Sequence, residues 1–247
     1  MPDVNSLGQQ IGVSLTGWRP PPAPARESMA GGFCTLEPLD IQAHSAALFA
    51  ANADDVQHRN WTYLPYGPFS GFSDYTKWME SECLGADPLF FAILPKEAGV
   101  PLGLASFMRI TPAGGSIELG HIHYSPRLQG TTAASEAIYL MLEKVFALGY
   151  RRCEWKCDAL NHPSRTAAER FGFTFEGLFR QATVYKNRNR DTAWFSMLDC
   201  EWDRTRLGYQ RWMSPDNFDR NGHQRSRLST SIRNARLERQ DGSSIEF

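Results

Sequence analysis

The chain has 247 residues, with 26 basic and 27 acidic side chains and a formal net charge of −1 at pH 7. This balance gives no overall attraction to nucleic acid or to an anionic membrane, so binding energy must come from a shaped site. The length suits one domain with extensions, and no apolar stretch approaches the length needed to cross a bilayer.

Residues 1–32 are rich in Gly, Pro and Ser and contain the run Arg19-Pro-Pro-Pro-Ala-Pro-Ala25, which cannot form a helix or a central strand. They are predicted to be an N-terminal extension. Trp18 is the only large anchor in this extension, which favours a flexible leader over a strap packed on the domain or on a partner.

The folded part is predicted to open with a strand at 33–39, and Asp40 is placed to cap the helix that follows. A second helix begins at Ser73. Three further strands are separated by turns so short that the strands must form antiparallel hairpins. These strands lie at 89–94, 102–110 and 117–124.

An aromatic segment at 61–69 joins the two helices and is broken by two prolines, which predicts a loop with its own packing. Its large side chains include Trp61, Tyr63 and Tyr66. These rings either line a substrate entrance or only fill the gap between the two helices.

The chain then changes from strand to turn to helix. Pro126 ends the strand, and apolar residues recur at helical spacing from Thr132 to Leu148. Between them lies the segment 127–132, whose small residues let backbone N–H groups converge on an anion at the positive end of the helix. This segment predicts a phosphate site, although Gly130 would also be explained by a tight turn alone.

A strand at 152–157 follows, and a crossover of this length places it parallel to the preceding strand. The next helix begins at Pro163 or Ser164 and ends near Phe171. A final hairpin joins the strands 173–185 and 191–198 around a turn at 186–190.

A short helix is predicted at 201–213, followed by a polar tail with scattered arginines at 215–247. Such arginines are more often solvated than bound to RNA.

Five cysteines are scattered through the chain, and their number is odd. Cys153 and Cys157 lie four apart in a strand, without the tight turn of a zinc knuckle, and no His pair follows at ligand spacing. The pattern predicts reduced thiols and no metal. Because a basic start followed by an apolar run is also missing, a cytoplasmic location is expected.

The predicted order of elements resembles the fold of the GNAT acetyltransferases. Residues 127–132 look like that family's acetyl-CoA loop, Gln/Arg-x-x-Gly-x-Gly/Ala, with Arg127 and Gly130 in place. Thr132 departs from the pattern; its hydroxyl could cap the helix, while its side chain would crowd a pyrophosphate.

A second motif strengthens the resemblance. Asn161-His-Pro-Ser164, followed by Gly172-Phe173 and Glu176-Gly177, resembles the Asn-x-x-Ser…Gly-Phe…Glu-Gly pattern of one branch of the family. That branch includes the ribosomal-protein alanine and serine N-acetyltransferases.

The resemblance implies an α+β (α/β) fold in which a central mixed, mostly antiparallel sheet is flanked by helices. Acetyl-CoA would lie in the splay between the fourth and fifth strands. The implied acetyltransferase domain covers 33–202, and the segments 1–32 and 203–247 lie outside it.

The resemblance also implies a set of cofactor-binding residues. Backbone groups at the end of the fourth strand would pair with the pantetheine arm, loop amides would hold the pyrophosphate, and one asparagine side chain would bond to the pantetheine. This set consists of Ile122, His123, Tyr124, Arg127, Gln129, Gly130, Thr131, Thr132, Ala133 and Asn161.

Two residues are the catalytic candidates that the resemblance implies. Amine acetylation needs a base, and Glu118 stands ahead of Gly120 as a glutamate does in the family branch; His121 and His123 are the alternatives. Ser164 either protonates the departing thiolate or serves only as a helix N-cap.

The implied activity is transfer of an acetyl group from acetyl-CoA to a primary amine by direct attack, without a metal. The acceptor is expected to be a protein N-terminus or a small-molecule amine bound near Trp61, Tyr63 and Tyr66, by a monomer or a homodimer. The alternative is a sensor or interaction module that binds acyl-CoA without turnover.

Overall fold

The computed structural model describes residues 3–238. The strands are β1 (Asp3–Val4), β2 (Gln10–Ile11), β3 (Met29–Ala30), β4 (Cys34–Pro38), β5 (Leu89–Pro95), β6 (Gly103–Thr111), β7 (Ser116–Tyr124), β8 (Arg152–Asp158), β9 (Thr174–Tyr185) and β10 (Arg188–Leu198). The α-helices are α1 (Ile41–Asn52), α2 (Phe72–Glu82), α3 (Thr132–Ala147), α4 (His162–Arg170), α5 (Asp199–Met213) and α6 (Leu228–Leu237).

Eight of these strands form one sheet in the order β3-β4-β5-β6-β7-β8-β10-β9, and β1 and β2 form a small separate hairpin. All neighbours in the large sheet are antiparallel except β7 and β8. The predicted mixed, mostly antiparallel sheet is therefore confirmed. The predicted fourth and fifth strands are β7 and β8.

The one parallel pair is short. Only Ser116–Leu119 of β7 pairs with Arg152–Trp155 of β8, after which the two strands separate. β7 also carries an extra residue opposite β6, because Leu104 pairs with His123 and Ser106 with Gly120. Such a bulge bends a strand. It moves the end of β7 away from β8 and opens a cleft between them.

Helices cover both faces of the sheet, which explains why the sequence of β5 is continuously apolar. Phe91 and Ile93 pack in the same core as α3, whereas Phe90 and Ala92 pack on the other face with α1 and α2. A strand covered on both faces needs apolar residues at every position. No helix in residues 3–238 is long and apolar enough to cross a membrane.

Most element boundaries agree with the predictions within two residues, and Asp40 caps α1 by accepting from the Ala43 N–H. One start differs by more: β10 begins at Arg188, so the final turn is shorter than predicted. All five cysteine thiols are free, and four of them are buried.

The proline-rich part of the N-terminal extension packs on the domain, so the prediction of a flexible leader is wrong there. Pro21 and Pro24 are buried. The Arg26 guanidinium donates to the carbonyl oxygens of Leu84 and Gly85 at 3.0 and 2.8 Å. The large anchor is used as well, because Trp18 packs beside Gly115 and under the Arg151 guanidinium, which lies 5.9 Å from its ring centre.

The C-terminal segment is also more ordered than a polar tail. α6 buries Leu228 and Ile232 against α5, where a side chain at Gly208 would lie 2.5 Å from the Ile232 Cα. The Arg236 guanidinium donates to the Gly172 carbonyl at 2.7 Å. The prediction of a solvated tail is wrong for α6, and residues 239–247 lie outside the described part.

A buried glutamate ties the start of β4 to α3. The Glu136 carboxylate accepts hydrogen bonds from the backbone N–H groups of Gly32, Phe33 and Cys34 at 2.6, 2.6 and 2.7 Å. A side chain at Gly31 would collide with that carboxylate. The last residues of the extension and the first strand are therefore fixed by one side chain.

We predict that Glu136→Ala lowers the free energy of unfolding by about 3 kcal/mol or more, because three N–H donors lose a charged acceptor. Urea denaturation measures the change. Glu143→Ala is the control on the same helix, since the Glu143 side chain is 38% exposed and pairs with Arg206 only at 3.8 Å. That control should change stability by about 1 kcal/mol or less. Equal losses in both variants would contradict the assigned role.

Candidate active site

Two cavities meet where β7 and β8 separate. The front cavity, of 210 Å³, is bordered by 118–122 of β7 and 155–158 of β8. The rear cavity, of 490 Å³, is bordered by 122–124 and by the loop before α3. The two cavities adjoin each other along a shared wall, and we call them together the passage. This wall consists of Asn60, Tyr63, Ile122, Trp155, Asn161 and Ser164.

Thr131, and not Thr132, caps the helix at the rear cavity. The Thr131 hydroxyl accepts from the Ala134 N–H at 3.1 Å and donates to the Leu128 carbonyl at 2.8 Å. Thr132 is the first helical residue, and its hydroxyl accepts from the Gln224 side chain at 3.4 Å. The suggested capping role of Thr132 is wrong because Thr131 occupies the N-cap position.

Backbone N–H groups of this loop are available to a ligand. Those of Gln129 and Thr131 are bonded to the carbonyls of Ser125 and Leu128. Those of Gly130, Thr132 and Ala133 have no acceptor within residues 3–238. Because they lie at the positive end of α3, they fit an anion such as a pyrophosphate.

The side chains of the loop differ in their positions. Gly130 lines the rear cavity with a φ of +75°, and a Cβ there would point into open space. The side chain of Gln129 donates to Asn60 and to the Tyr124 carbonyl at 2.9 and 3.0 Å. Arg127 is exposed on the surface and does not border the passage.

The end of β7 offers backbone groups to the cleft because β8 has turned away. Ile122 lies in the wall shared by both cavities, and His123 borders the rear cavity. The Tyr124 carbonyl already accepts from the side chains of Asn60 and Gln129. Tyr124 thus contributes less than predicted to the free edge, whose open part centres on Ile122 and His123.

Asn161 and Ser164 stand together at the start of α4. The Asn161 side-chain oxygen accepts from the Ser164 N–H at 3.1 Å, so Asn161 is the N-cap. The reading of Ser164 as the N-cap is therefore wrong. The Ser164 hydroxyl accepts from the Trp155 indole N–H at 3.1 Å and lies beside the Cys157 side chain, and it keeps its own proton as a donor at the shared wall.

Glu118 borders the front cavity with a side chain that is only 4% exposed. Its carboxylate lies 2.7 Å from the Arg109 guanidinium and 2.9 Å from the Lys156 ammonium. Lys156 also contacts Glu154 at 2.6 Å. A buried carboxylate of this kind needs such partners, which also fix its position in the cavity.

Arg109 reaches Glu118 because of a bulge that the sequence did not reveal. β6 has one extra residue between Met108 and Thr111 relative to β7, and Arg109 has a φ of +47°. The carboxylate of Asp87 accepts from the backbone N–H groups of Arg109 and Ile110 at 2.9 and 3.0 Å. This contact holds the bulge.

The two histidines of β7 are neutral at pH 7. Burial lowers the pKa of His121 to about 4, and burial likewise lowers the pKa of His123 to about 4. His121 borders the front cavity and is hydrogen-bonded to the Tyr66 hydroxyl at 3.1 Å. His123 stacks on Trp61 and borders the rear cavity. Of these two, only His121 is placed near Glu118.

The three large rings of the aromatic loop lie in different environments. Trp61 is 4% exposed and fills the core beside His123, whereas Tyr63 lies in the shared wall and donates to the Leu160 carbonyl at 3.1 Å. Tyr66 lines a third cavity of 740 Å³ that adjoins the front cavity at His121. Trp61 thus packs the loop, and the two tyrosines border open space.

Arg170 is a cation of the rear cavity that sequence reasoning missed. Its guanidinium donates to the Ser135 hydroxyl at 2.9 Å and lies over the rings of Phe171 and Trp212. It forms no salt bridge with an acidic residue of the described part. Its position at the end of α4 gives no sequence signal of a site, because only the fold brings it next to Ser135 of α3.

Comparisons with known proteins show which family the chain belongs to. The family model of the acetyltransferase (GNAT) domain matches residues 34–174. The chain is similar to a GCN5-related N-acetyltransferase from Brucella melitensis at 44% identity and a TM-score of 0.86, over 89% of this chain and 100% of that one.

Two further structures are similar. A probable acetyltransferase of the GNAT family from Chromobacterium violaceum is 42% identical, with a TM-score of 0.74, over 79% of this chain and 98% of that one. The microcin C7 self-immunity acetyltransferase MccE, solved with acetyl-CoA and AMP, shares the fold at 21% identity and a TM-score of 0.60, over 68% and 93%. No curated protein matches. The family match and the two relatives above 40% identity show that this chain belongs to the GNAT acetyltransferases.

Proposed function

We propose that the chain transfers an acetyl group from acetyl-CoA to a primary amine, which attacks the thioester carbonyl directly. The observation that carries this proposal is the pair of adjoining cavities where β7 and β8 separate, with unused N–H donors at the rear one and a paired carboxylate at the front one. A long anionic ligand and a second, smaller one would enter such a passage from opposite sides.

The rear cavity has the groups that CoA requires. The N–H groups of Gly130, Thr132 and Ala133 would hold the pyrophosphate, and Arg59 and Arg170 line the same cavity without a salt bridge in residues 3–238. The open edge at Ile122 and His123 would pair with the pantetheine arm, as an edge strand pairs with an extended peptide. The side-chain N–H₂ of Asn161 is free to bond to the same arm, because only its oxygen caps α4.

The front cavity has groups for proton transfer. Bound acetyl-CoA supplies a thioester carbonyl, and an amine can attack it only in its neutral form. Glu118 would take the amine proton, directly or through one water, and Arg109 and Lys156 hold it in place. The same cations disfavour a charged ammonium beside them. The hydroxyl proton of Ser164 would go to the departing thiolate.

We predict that Gly130→Glu abolishes acetyl-CoA binding, because its carboxylate would repel the pyrophosphate and its side chain would enter the rear cavity. Titration calorimetry measures the affinity. Gly149→Glu is the matched control, since Gly149 also has a positive φ (+92°) and open space at its Cβ but lies beyond the far end of α3. A folded Gly130→Glu protein with the affinity of the parent would refute the loop assignment.

We predict that Glu118→Gln keeps the affinity for acetyl-CoA but lowers kcat on an amine acceptor by about 100-fold at neutral pH. The loss should shrink as pH rises, because the amine then deprotonates unaided. Release of free thiol across a panel of amines gives kcat.

Glu154→Gln is the control for Glu118→Gln, because Glu154 contacts Lys156 but does not border the front cavity. Equal rates for Glu118→Gln and the parent would transfer the role of base to His121. If the parent binds acetyl-CoA but releases no thiol with any amine, the chain is a binding module and not an enzyme.

A further inference from the structure

The front cavity has more positive than negative charge in its wall. Its cations are Arg109, Lys156 and Arg190, and its acids are Glu118 and Asp158. Because the cavity is small and partly enclosed, an uncompensated charge in its wall acts strongly on a ligand. The partners of each group therefore decide what the cavity will bind.

Both acids are already engaged. Glu118 is paired with Arg109 and Lys156. Asp158 is 5% exposed, and its two oxygens accept from the Tyr185 hydroxyl at 2.7 Å and the Leu160 N–H at 2.8 Å. Binding the ammonium group of a ligand would require either carboxylate to give up these partners.

Two of the three cations are engaged as well. The Lys156 ammonium contacts Glu118 and Glu154 and lies 3.7 Å from the centre of the Trp194 ring. Arg109 has one Nη on Glu118, while its side chain is 56% exposed at the cavity mouth. Its other guanidinium N–H groups have no hydrogen-bond acceptor in residues 3–238.

Arg190 is different. Its Nε donates to the Thr192 hydroxyl at 3.1 Å, and its guanidinium lies 5.8 Å from the centre of the Tyr185 ring. It forms no salt bridge within residues 3–238. Its position is thus fixed through Nε and the ring, while both terminal Nη groups stay available as a two-pronged donor.

We propose that the acceptor amine also carries an anionic group, a carboxylate or a phosphate, which the two Nη groups of Arg190 bind. A planar guanidinium held by its Nε matches two oxygens of either anion. Arg109 provides a second positive charge at the mouth of the cavity. This inference rests on the proposed amine acetylation and names the class of amine.

The neighbouring cavities indicate how such an acceptor would lie. The front cavity, at 210 Å³, holds only the reacting end of a ligand. The third cavity adjoins it at Pro65, Met108 and His121 and has Tyr66, Trp78 and Phe90 in its wall. An aromatic or apolar side chain of the acceptor has room there, so an aromatic amino acid is a suitable probe.

The test uses matched pairs of amines that differ only in the anion. L-Phenylalanine is compared with its primary amide, and O-phosphoethanolamine with ethanolamine, each with acetyl-CoA and thiol release as the readout. In one pair at least, kcat/KM should be about 10- to 100-fold higher for the anionic member, mainly through a lower KM. The better pair identifies carboxylate or phosphate as the anion.

Arg190→Gln should reduce that preference to within about threefold by raising KM for the anionic member. Arg188→Gln is the matched control, because Arg188 is an exposed arginine on the same strand, and it should keep the preference of the parent. A parent that treats both members of each pair alike, or an Arg190→Gln variant that keeps the preference, overturns the inference.

A binding measurement separates this inference from the proposed function. With CoA at saturation, the anionic member should raise the melting temperature of the parent more than the neutral member, and Arg190→Gln should remove the difference. If that difference is found while no amine releases thiol, amine acetylation fails and the anion site stands. If thiol is released but neither rate nor melting temperature distinguishes the pairs, the anion site fails alone.

Discussion

The architecture of the site depends on one limit in strand pairing: β7 and β8 stay together for only four residue pairs. Each strand is followed by a helix, α3 after β7 and α4 after β8, so both helix N-termini point at the opening between them. The bulge at His121 turns the end of β7 away and exposes the backbone edge at Ile122 and His123. The end of the β7–β8 pairing thus opens the cleft and exposes its free edge, and the two helix N-termini lie beside it.

Charge is arranged differently at the two ends of this cleft. At the rear, the free N–H groups and Arg170 make the cavity electropositive, which suits a phosphate ligand. At the front, a chain of ion pairs runs along one face of β8 through Arg152, Glu154 and Lys156 to Glu118. The alternate residues of β8, such as Trp155, lie in the core. The chain fixes the buried carboxylate where the amine would meet the thioester.

Local patterns in the sequence were enough for the order of elements, the Asp40 cap and the turn between β7 and α3, because each depends on residues close together in the chain. The packing of the two extensions was not predictable in this way. It depends on contacts between distant residues, such as Glu136 with the N–H groups of 32–34 and Ile232 with Gly208. Arg109 was missed because a bulge in β6, held by Asp87, sets its direction.

The central claim is that CoA lies in the opening between β7 and β8, and amide hydrogen exchange tests it most directly. In the free protein the unbonded N–H groups of Gly130, Thr132 and Ala133 should exchange fast. Saturating acetyl-CoA should slow exchange at these amides and along Ile122–Tyr124, and should leave α1 and α2 unchanged. Tight binding of acetyl-CoA with no added protection at 130–133 would contradict the account.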